Sequence, residues 1–162
     1  MNKARMVLDK VIEIASIGIF TIMVLLVAFQ VFMRYVLSSP SVFSESLTRY
    51  LFVWLVLVTA TYACGKRDHM CITFVRDRLS FNGQNRMSII TETLTMVFSV
   101  CVMVYGGICI SSMQMVQLDS ILKIPTGVIY SIIPICGACI VFYSLCNIVD
   151  DIRSLRTRKG GQ

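Results

Sequence analysis

The sequence predicts an all-α integral membrane protein with four transmembrane helices, a short amphipathic interfacial helix and both termini in the cytoplasm. Of the 162 residues, 56% are hydrophobic and 15% are charged, and the mean hydropathy is +0.77. These values lie outside the balance of a soluble domain. Crossing the ~30 Å hydrocarbon layer takes ~20 apolar residues as a helix. Residues 1–162 are therefore predicted to form a single membrane domain with four spans, Val11–Met33, Ser44–Cys64, Met87–Ile110 and Pro125–Val149.

The first two apolar runs are assigned as spans for different reasons. The first lacks the short apolar core and small-residue cleavage site of a secretory signal, so we expect it to be retained. The second has a short uncharged part, Tyr50–Gly65, and needs its amphipathic first turns to cross the membrane. Ser44 as the N-cap would place Glu45 in the first turn and pair it with Arg49 at i, i+4. Gly65 is a natural end for this helix.

The connector Lys66–Arg86 contains the predicted interfacial helix, at about residues 68–80. Its apolar residues can share one helical side, and its basic residues would meet anionic lipid headgroups or acidic groups of a partner. His69 is the only histidine of the chain and would open this helix. We interpret it as a capping or interface group, because the sequence offers no metal or catalytic partner at suitable spacing. A haem held by two histidines of this chain is excluded.

The last two runs contain small residues, which allow close helix contacts in membranes. The small residues are Gly106 and Gly107 in the third span and Gly127, Ser131, Gly137 and Ala138 in the fourth. Pro134 should kink the fourth helix.

Glu92 lies within two turns of the end of its span, where it can reach water or a basic neighbour. We therefore favour a structural role for this acid over an ion or proton site.

Lysine and arginine are distributed unevenly among the connectors. Three lie in residues 1–10, five in 66–86 and four from residue 153 onward, against two in 34–49 and one in 111–124. By the positive-inside rule, both termini and the middle connector face the cytoplasm. The net charge of +6 is thus mainly a topology signal, and we expect no nucleic-acid partner.

Two alternatives to a structural membrane protein follow from individual side chains. Cys136 and Cys139 have the CxxC spacing of a four-helix, quinone-linked thiol oxidoreductase, but their apolar surroundings favour simple packing. Glu13 in the first span suggests a small proton-coupled exporter, but this acid lies near the end of its span. The middle portions of the spans are mostly aliphatic and aromatic, so the chain shows no solute pathway of its own.

The segment Arg34–Trp54 carries the most specific pattern in the sequence. Its distinctive residues are Arg34, Tyr35, Pro40, Phe43, Ser44, Glu45, Leu47, Arg49, Tyr50, Leu51 and Trp54, and further along the chain Gly65, Lys66, Arg67, Asp68, His69, Leu79 and the segment Lys123–Pro134. In these residues the chain resembles the small membrane subunit, the DctQ or Q-type component, of tripartite ATP-independent periplasmic (TRAP) transporters. The resemblance extends over all four spans. The family often has tryptophan and a second acid where this sequence has Phe43 and Ser46.

The resemblance implies a multi-pass subunit of the bacterial inner membrane that takes part in uptake of an organic acid. Its partners would be a large elevator-type membrane subunit, which binds sodium and substrate, and a periplasmic substrate-binding protein. It implies no enzyme activity and no cofactor on this chain, with sodium expected on the large subunit. Arg34, Glu45 and Arg49 would order a periplasmic corner, with Tyr50 and Trp54 near that interface.

Overall fold

The chain folds into four long helical stretches, as described by a computed structural model that covers residues 3–37, 41–66 and 81–159. Within these residues, four stretches are long and apolar enough to cross a membrane: Arg5–Val36, Val42–Lys66, Met87–Met113 and Thr126–Asp150. The prediction of four transmembrane helices is thus confirmed. The interfacial helix predicted at residues 68–80, including His69, lies outside the described residues. The elements are α1 (Lys3–Val36), α2 (Val42–Lys66), α3 (Phe81–Phe98), a π-helical segment (Ser99–Gly106), α4 (Gly107–Met113), α5 (Thr126–Tyr130) and α6 (Ile132–Lys159).

Helix α2 begins earlier than the sequence suggested. Its cap is Ser41, whose Oγ accepts a hydrogen bond from the Ser44 backbone N–H at 3.4 Å. The Ser44 hydroxyl instead donates to the Ser41 carbonyl at 2.9 Å. The assignment of Ser44 as the N-cap is therefore wrong by one turn, because either serine can satisfy the orphan donors of a first turn and local sequence does not separate them.

The third span changes helical type within the membrane. After Phe98 it continues as the π-helical segment and returns to α geometry at Gly107. At the start of this segment the Ser99 side chain is fully buried, and its hydroxyl donates to the Gly137 carbonyl of α6 at 2.8 Å. A Cβ on Gly137 would lie 2.8 Å from the Met103 Cβ, so the two spans touch through a glycine, as small residues in membrane helices allow.

The fourth span is interrupted at Ser131, between α5 and α6. The predicted irregularity at Pro134 therefore appears one turn earlier. Proline cannot donate to the carbonyl four residues before it, and its ring clashes with that carbonyl, which belongs to Tyr130. The Ser131 backbone N–H bonds to the carbonyls of Gly127 at 3.1 Å and Val128 at 3.3 Å, which closes the last turn of α5.

Helix α6 is central in the bundle and packs against both α2 and the π-helical segment, whereas α1 packs mainly on α2. The described core is small and includes Ile12, Val58, Cys136 and the fully buried Tyr143. Most large apolar side chains point outward. That pattern suits a bundle whose solvent is lipid, because lipid tails accept apolar side chains as readily as a protein core does.

Candidate functional site

Polar contacts between the spans are concentrated at the two ends of the bundle. We call them the Asp119 end, where Val36, Val42, Met113 and Thr126 lie, and the Asp9 end, where Arg5, Lys66, Met87 and Asp150 lie. In a bilayer these ends meet the polar headgroup layers, where charged and hydroxyl groups are tolerated. The candidate functional residues therefore fall into two groups, one at each end.

At the Asp119 end, Tyr50 and Trp54 tie α2 to the fourth span and the loop before it. The Tyr50 hydroxyl donates to the Asp119 carboxylate. One turn further along α2, Trp54 Nε1 donates to the Ile129 carbonyl at 2.9 Å. The structure thus gives both residues defined partners 69 and 75 residues away along the chain.

Helix α1 reaches the same end of α2 through Gln30. Its Nε2 lies 2.9 Å from the Ser44 carbonyl and 2.6 Å from the Thr48 hydroxyl. Thr48 in turn donates back to the Ser44 carbonyl at 2.9 Å. This amide holds the two helices together where the chain passes from the first to the second span.

The loop of residues 114–125 is fixed by its own hydrogen bonds. The Asp119 Oδ1 accepts the backbone N–H groups of Ile121 at 2.9 Å and Leu122 at 2.8 Å, which is a side-chain turn typical of aspartate. Lys123 has a positive φ of 54°, and its N–H closes the turn onto the Asp119 carbonyl at 3.0 Å. One carboxylate therefore both shapes the loop and binds Tyr50.

These contacts predict that acid weakens the Asp119 end. The hydrogen bond from Tyr50, followed by those from Leu122 and Ile121, holds the pKa of the Asp119 carboxyl below its usual value. A lowered pKa in the folded state means that the carboxylate contributes stability above the unfolded-state value of about 3.9, and that this stability is lost as the pH falls through the lowered value. We expect the melting temperature in detergent to fall below about pH 4 more steeply for the wild type than for Asp119→Asn. Equal acid sensitivity of the two proteins would contradict this prediction.

Glu45 and Arg49 form the predicted i, i+4 ion pair, at 3.5 Å. The side chains are 67% and 71% exposed, so solvent screens the pair and it contributes little to stability. Arg34 does not join them among the described residues. Its guanidinium carbon lies 6.0 Å from the ring centroid of its neighbour Tyr35. Arg34 is on α1 and exposed there, and its role in ordering the corner with Glu45 and Arg49 stays a prediction.

At the Asp9 end, contacts join α1, α2 and α6. Arg5 Nη2 donates to the Gly65 carbonyl at 2.5 Å, and Arg5 Nη1 lies 3.7 Å from Asp150 Oδ2. The Tyr143 hydroxyl donates to Asp9 Oδ1 at 2.5 Å. Gly65 lies flat against the Tyr143 ring, since an added Cβ would be 3.0 Å from it. These five residues place the ends of three spans in fixed positions.

Glu92 connects the third span to α6 at the same end. Its Oε1 accepts a hydrogen bond from Asn147 Nδ2 at 2.9 Å, and Asn147 is fully buried. The geometry gives this acid a partner on another helix. We keep a structural role for Glu92 as our prediction.

The cysteines of the CxxC pair lie on α6 inside the bundle. Cys136 is 4% exposed and belongs to the core, and Cys139 is half-buried. Both are free thiols in the structure. Thiol exchange needs access for a partner, and Cys136 offers little.

Several of these residues carry no local signal in the sequence. Asp119 and Gln30 belong to no recognisable sequence motif. Arg5 and Asp9 lie in a basic N-terminal segment and are not distinguished from its other charged residues. One clue was available: Asp119 and Lys123 are the charged residues of a connector otherwise rich in apolar side chains. Charge next to a membrane span generally has a partner or a function.

Comparison with known proteins identifies a matching family and two relatives. A family model described as "Tripartite ATP-independent periplasmic transporters, DctQ component" matches residues 23–154. A protein of Haemophilus influenzae, described as a TRAP transporter small permease protein, is 26% identical over 146 residues, which is 90% of this chain and 89% of that protein. The sialic acid TRAP transporter small permease protein SiaQ of Vibrio cholerae is 27% identical over 160 residues, 96% of this chain and 89% of that protein.

Proposed function

The chain belongs to the DctQ family of TRAP transporter components, and from this premise we propose that it is a non-catalytic scaffold that braces a large, moving membrane subunit. It is a multi-pass membrane protein and a small permease subunit. The proposal adds the mechanical role, a position in the bacterial inner membrane with both termini cytoplasmic, and assembly with a large subunit and a periplasmic binding protein.

The observation that carries the scaffold role is that side chains at both ends of the bundle bind other spans of the same chain. Tyr50 to Asp119 and Trp54 to Ile129 connect the spans at one end. Arg5 to Gly65 and Tyr143 to Asp9 do so at the other. A bundle fixed at both membrane surfaces resists shear, and that is the property needed by a static support for an elevator-type movement.

The proposed transport is sodium-coupled uptake of an organic acid. Its support is indirect: the Vibrio cholerae relative is named for sialic acid, and the family name describes a periplasmic route. We assign sodium and substrate to the large subunit. With the excess of lysine and arginine facing the cytoplasm, the Asp119 end would face the periplasm, where its loop could also touch an arriving binding protein.

The test is reconstituted uptake. The large subunit is placed in liposomes with and without this chain, with a sodium gradient and the binding protein outside, and uptake of radiolabelled sialic acid, a C4-dicarboxylate and a sugar acid is measured. We expect uptake of one of these acids only when both membrane subunits are present. Full-rate uptake by the large subunit alone would overturn the scaffold proposal.

One variant and one further assay test the alternatives. The double variant Cys136→Ser, Cys139→Ser should retain uptake, whereas a thiol oxidoreductase would lose its function. This chain alone, in liposomes with a proton gradient, should export no dye, whereas a small exporter would. Among the described residues neither alternative has a supporting observation, since Cys136 is buried and Glu13 is exposed near the end of its span.

A further inference from the structure

Tyr105 is a tyrosine on the outer surface of the third span. It is 76% exposed, and among the residues that the structure describes its hydroxyl has no hydrogen-bond partner. Tyr50 and Tyr143, by contrast, donate to carboxylates on other parts of the chain. The Tyr105 hydroxyl is therefore a polar group that the described bundle leaves unsatisfied.

The position of Tyr105 along its span places it inside the hydrocarbon layer. It precedes Met113, the last residue of the span, by eight residues, which is ~12 Å of helix. The span Met87–Met113 has 27 residues, so it is ~40 Å long and exceeds the ~30 Å hydrocarbon layer by ~5 Å at each end. The Tyr105 backbone thus lies ~7 Å inside the nearer hydrocarbon boundary.

The direction of the side chain takes the hydroxyl away from the nearer headgroup layer. In a helix the Cα–Cβ bonds tilt toward the N-terminus, and long side chains follow that direction. The third span begins at the Asp9 end and finishes at the Asp119 end, so its side chains lean toward the middle of the bilayer. A hydroxyl without a hydrogen bond is costly in hydrocarbon, and lipid tails offer it no acceptor.

The π-helical segment fixes Tyr105 from behind. Ser99 donates to the Gly137 carbonyl, and Met103 lies against Gly137. Ser99 and Met103 therefore face α6, and Cys101 and Tyr105, each two positions further along, lie on the opposite side of the segment. π-Helical segments are rare and occur frequently at functional sites.

The neighbours of Tyr105 on this side allow another helix to come close. Cys101 and Cys109 are exposed and lie about one turn before and after Tyr105. Such small side chains let a second membrane helix approach, and the 56% exposed Ile108 adds an apolar contact. We call Cys101, Tyr105, Ile108 and Cys109 the Tyr105 face.

The third span lies at one edge of the bundle. Helix α6 packs against α2 and against the third span, and α1 packs mainly on α2. The Tyr105 face can therefore receive a helix of another protein without displacing a span of this chain.

We propose that the Tyr105 face binds a transmembrane helix of the large membrane subunit, and that the Tyr105 hydroxyl donates a hydrogen bond to that helix. A polar side chain or a free carbonyl of a protein helix supplies an acceptor at this depth. The chain is one component of a tripartite transporter, which favours a different component over a second copy as the occupant. The choice of the large subunit rests on the proposed function.

Photo-cross-linking in membranes identifies the occupant. The cross-linking amino acid p-benzoylphenylalanine is placed at position 105 of the full chain, which is co-expressed with the large subunit, and the products are identified by mass spectrometry. We expect a product with the large subunit. A product with a second copy of this chain, or with lipid alone, would overturn the proposal.

The matched control carries the same amino acid at position 29. Phe29 is 48% exposed on α1 and lies seven residues from Val36, the end of its span, so its depth from the Asp119 end is similar to that of Tyr105. We expect no product with the large subunit from this position. Cross-linking to the large subunit from position 29 and not from position 105 would overturn the proposal.

A titration measures the contribution of the hydroxyl. The dissociation constant of the purified full chain and the large subunit is determined in detergent by fluorescence. Tyr105→Phe should raise it about threefold, the effect of one hydrogen bond between membrane helices. Tyr105→Ala, which also removes the ring, should raise it about tenfold, and Phe29→Ala should leave it unchanged.

The outcomes of this titration separate the face from the assembly. Both positions are exposed, so each variant alone should melt at the temperature of the wild type. Unchanged affinity in both Tyr105 variants would overturn the Tyr105 face and leave the proposed function standing. Absence of binding by the wild type would overturn the proposed assembly with the large subunit itself.

Discussion

Gly127→Ala is expected to destabilise the bundle by about 2–3 kcal/mol, since inserting atoms into a close contact costs roughly 1–3 kcal/mol and the contact here is with backbone. A Cβ on Gly127 would lie 2.8 Å from the Met115 backbone nitrogen and 2.9 Å from its Cγ, and closer still to the Ser111 carbonyl oxygen. A flexible side chain could move aside, but the end of α4 cannot move without breaking its own hydrogen bonds. The melting temperature in detergent, followed by size-exclusion fluorescence, measures the loss.

The close approach at Gly127 is also a hydrogen-bonded one. The Ser111 hydroxyl donates to the Gly127 carbonyl at 2.7 Å, and the Gly127 N–H donates to the Gln114 carbonyl at 3.0 Å. Displacing the glycine would therefore disturb the junction between the third and fourth spans as well as the packing.

Gly18→Ala is the matched control for that substitution. A Cβ at Gly18 would meet nothing within 4 Å. Alanine is favoured over glycine in a helix interior by roughly 0.5–1 kcal/mol, so this variant should melt at the same or a higher temperature. Equal melting temperatures for the Gly127 and Gly18 variants would show that the described contact at Gly127 is wrong.

Tyr143→Ala is expected to have the other large effect, a loss of roughly 3–5 kcal/mol, as for a large aromatic side chain removed from a core. Tyr143 is fully buried and packs against Gly65 of α2, and its hydroxyl donates a hydrogen bond to Asp9 of α1. A single side chain thus holds three helices together at the Asp9 end. Thermal unfolding in detergent measures the effect.

Tyr143→Phe separates the ring from the hydroxyl. It keeps the packing but removes the donor to Asp9, and a hydrogen bond to a charged group contributes about 1.5–3 kcal/mol. We expect a smaller loss than for Tyr143→Ala. Phe142→Ala is the control, because the adjacent ring is 38% exposed and its contact with Tyr143 is an edge contact, with the ring centroids 6.3 Å apart. A loss from Phe142→Ala as large as that from Tyr143→Ala would contradict the assigned core.

Features that depend on a short stretch of sequence were predictable from that stretch. The four spans follow from apolar runs, because the hydrocarbon layer imposes a minimum length on each helix. The Glu45–Arg49 pair follows from helical spacing. The cap at Ser41 was misplaced because Ser41 and Ser44 offer the same chemistry one turn apart.

The partners of the candidate residues were not predictable in the same way. Tyr50 and Trp54 were singled out as interface residues, but nothing in their neighbourhood pointed to Asp119 or Ile129. The π-helical segment and the break at Ser131 also depend on packing: Ser99 bonds to α6, and Pro134 lies against Gly107. The pattern of one helix alone does not contain these contacts.

The sequence by itself determined that this is a membrane protein with four spans, because hydrophobic length is a property of single stretches of chain. Its resemblance to the DctQ family likewise rests on short segments, above all Arg34–Trp54. Only the tertiary structure decided how the spans are held. Tyr143 bonds to Asp9 across 134 residues and Arg5 to Gly65 across 60. Such bonds form where helix ends converge, and convergence is fixed by the packing of all four spans together.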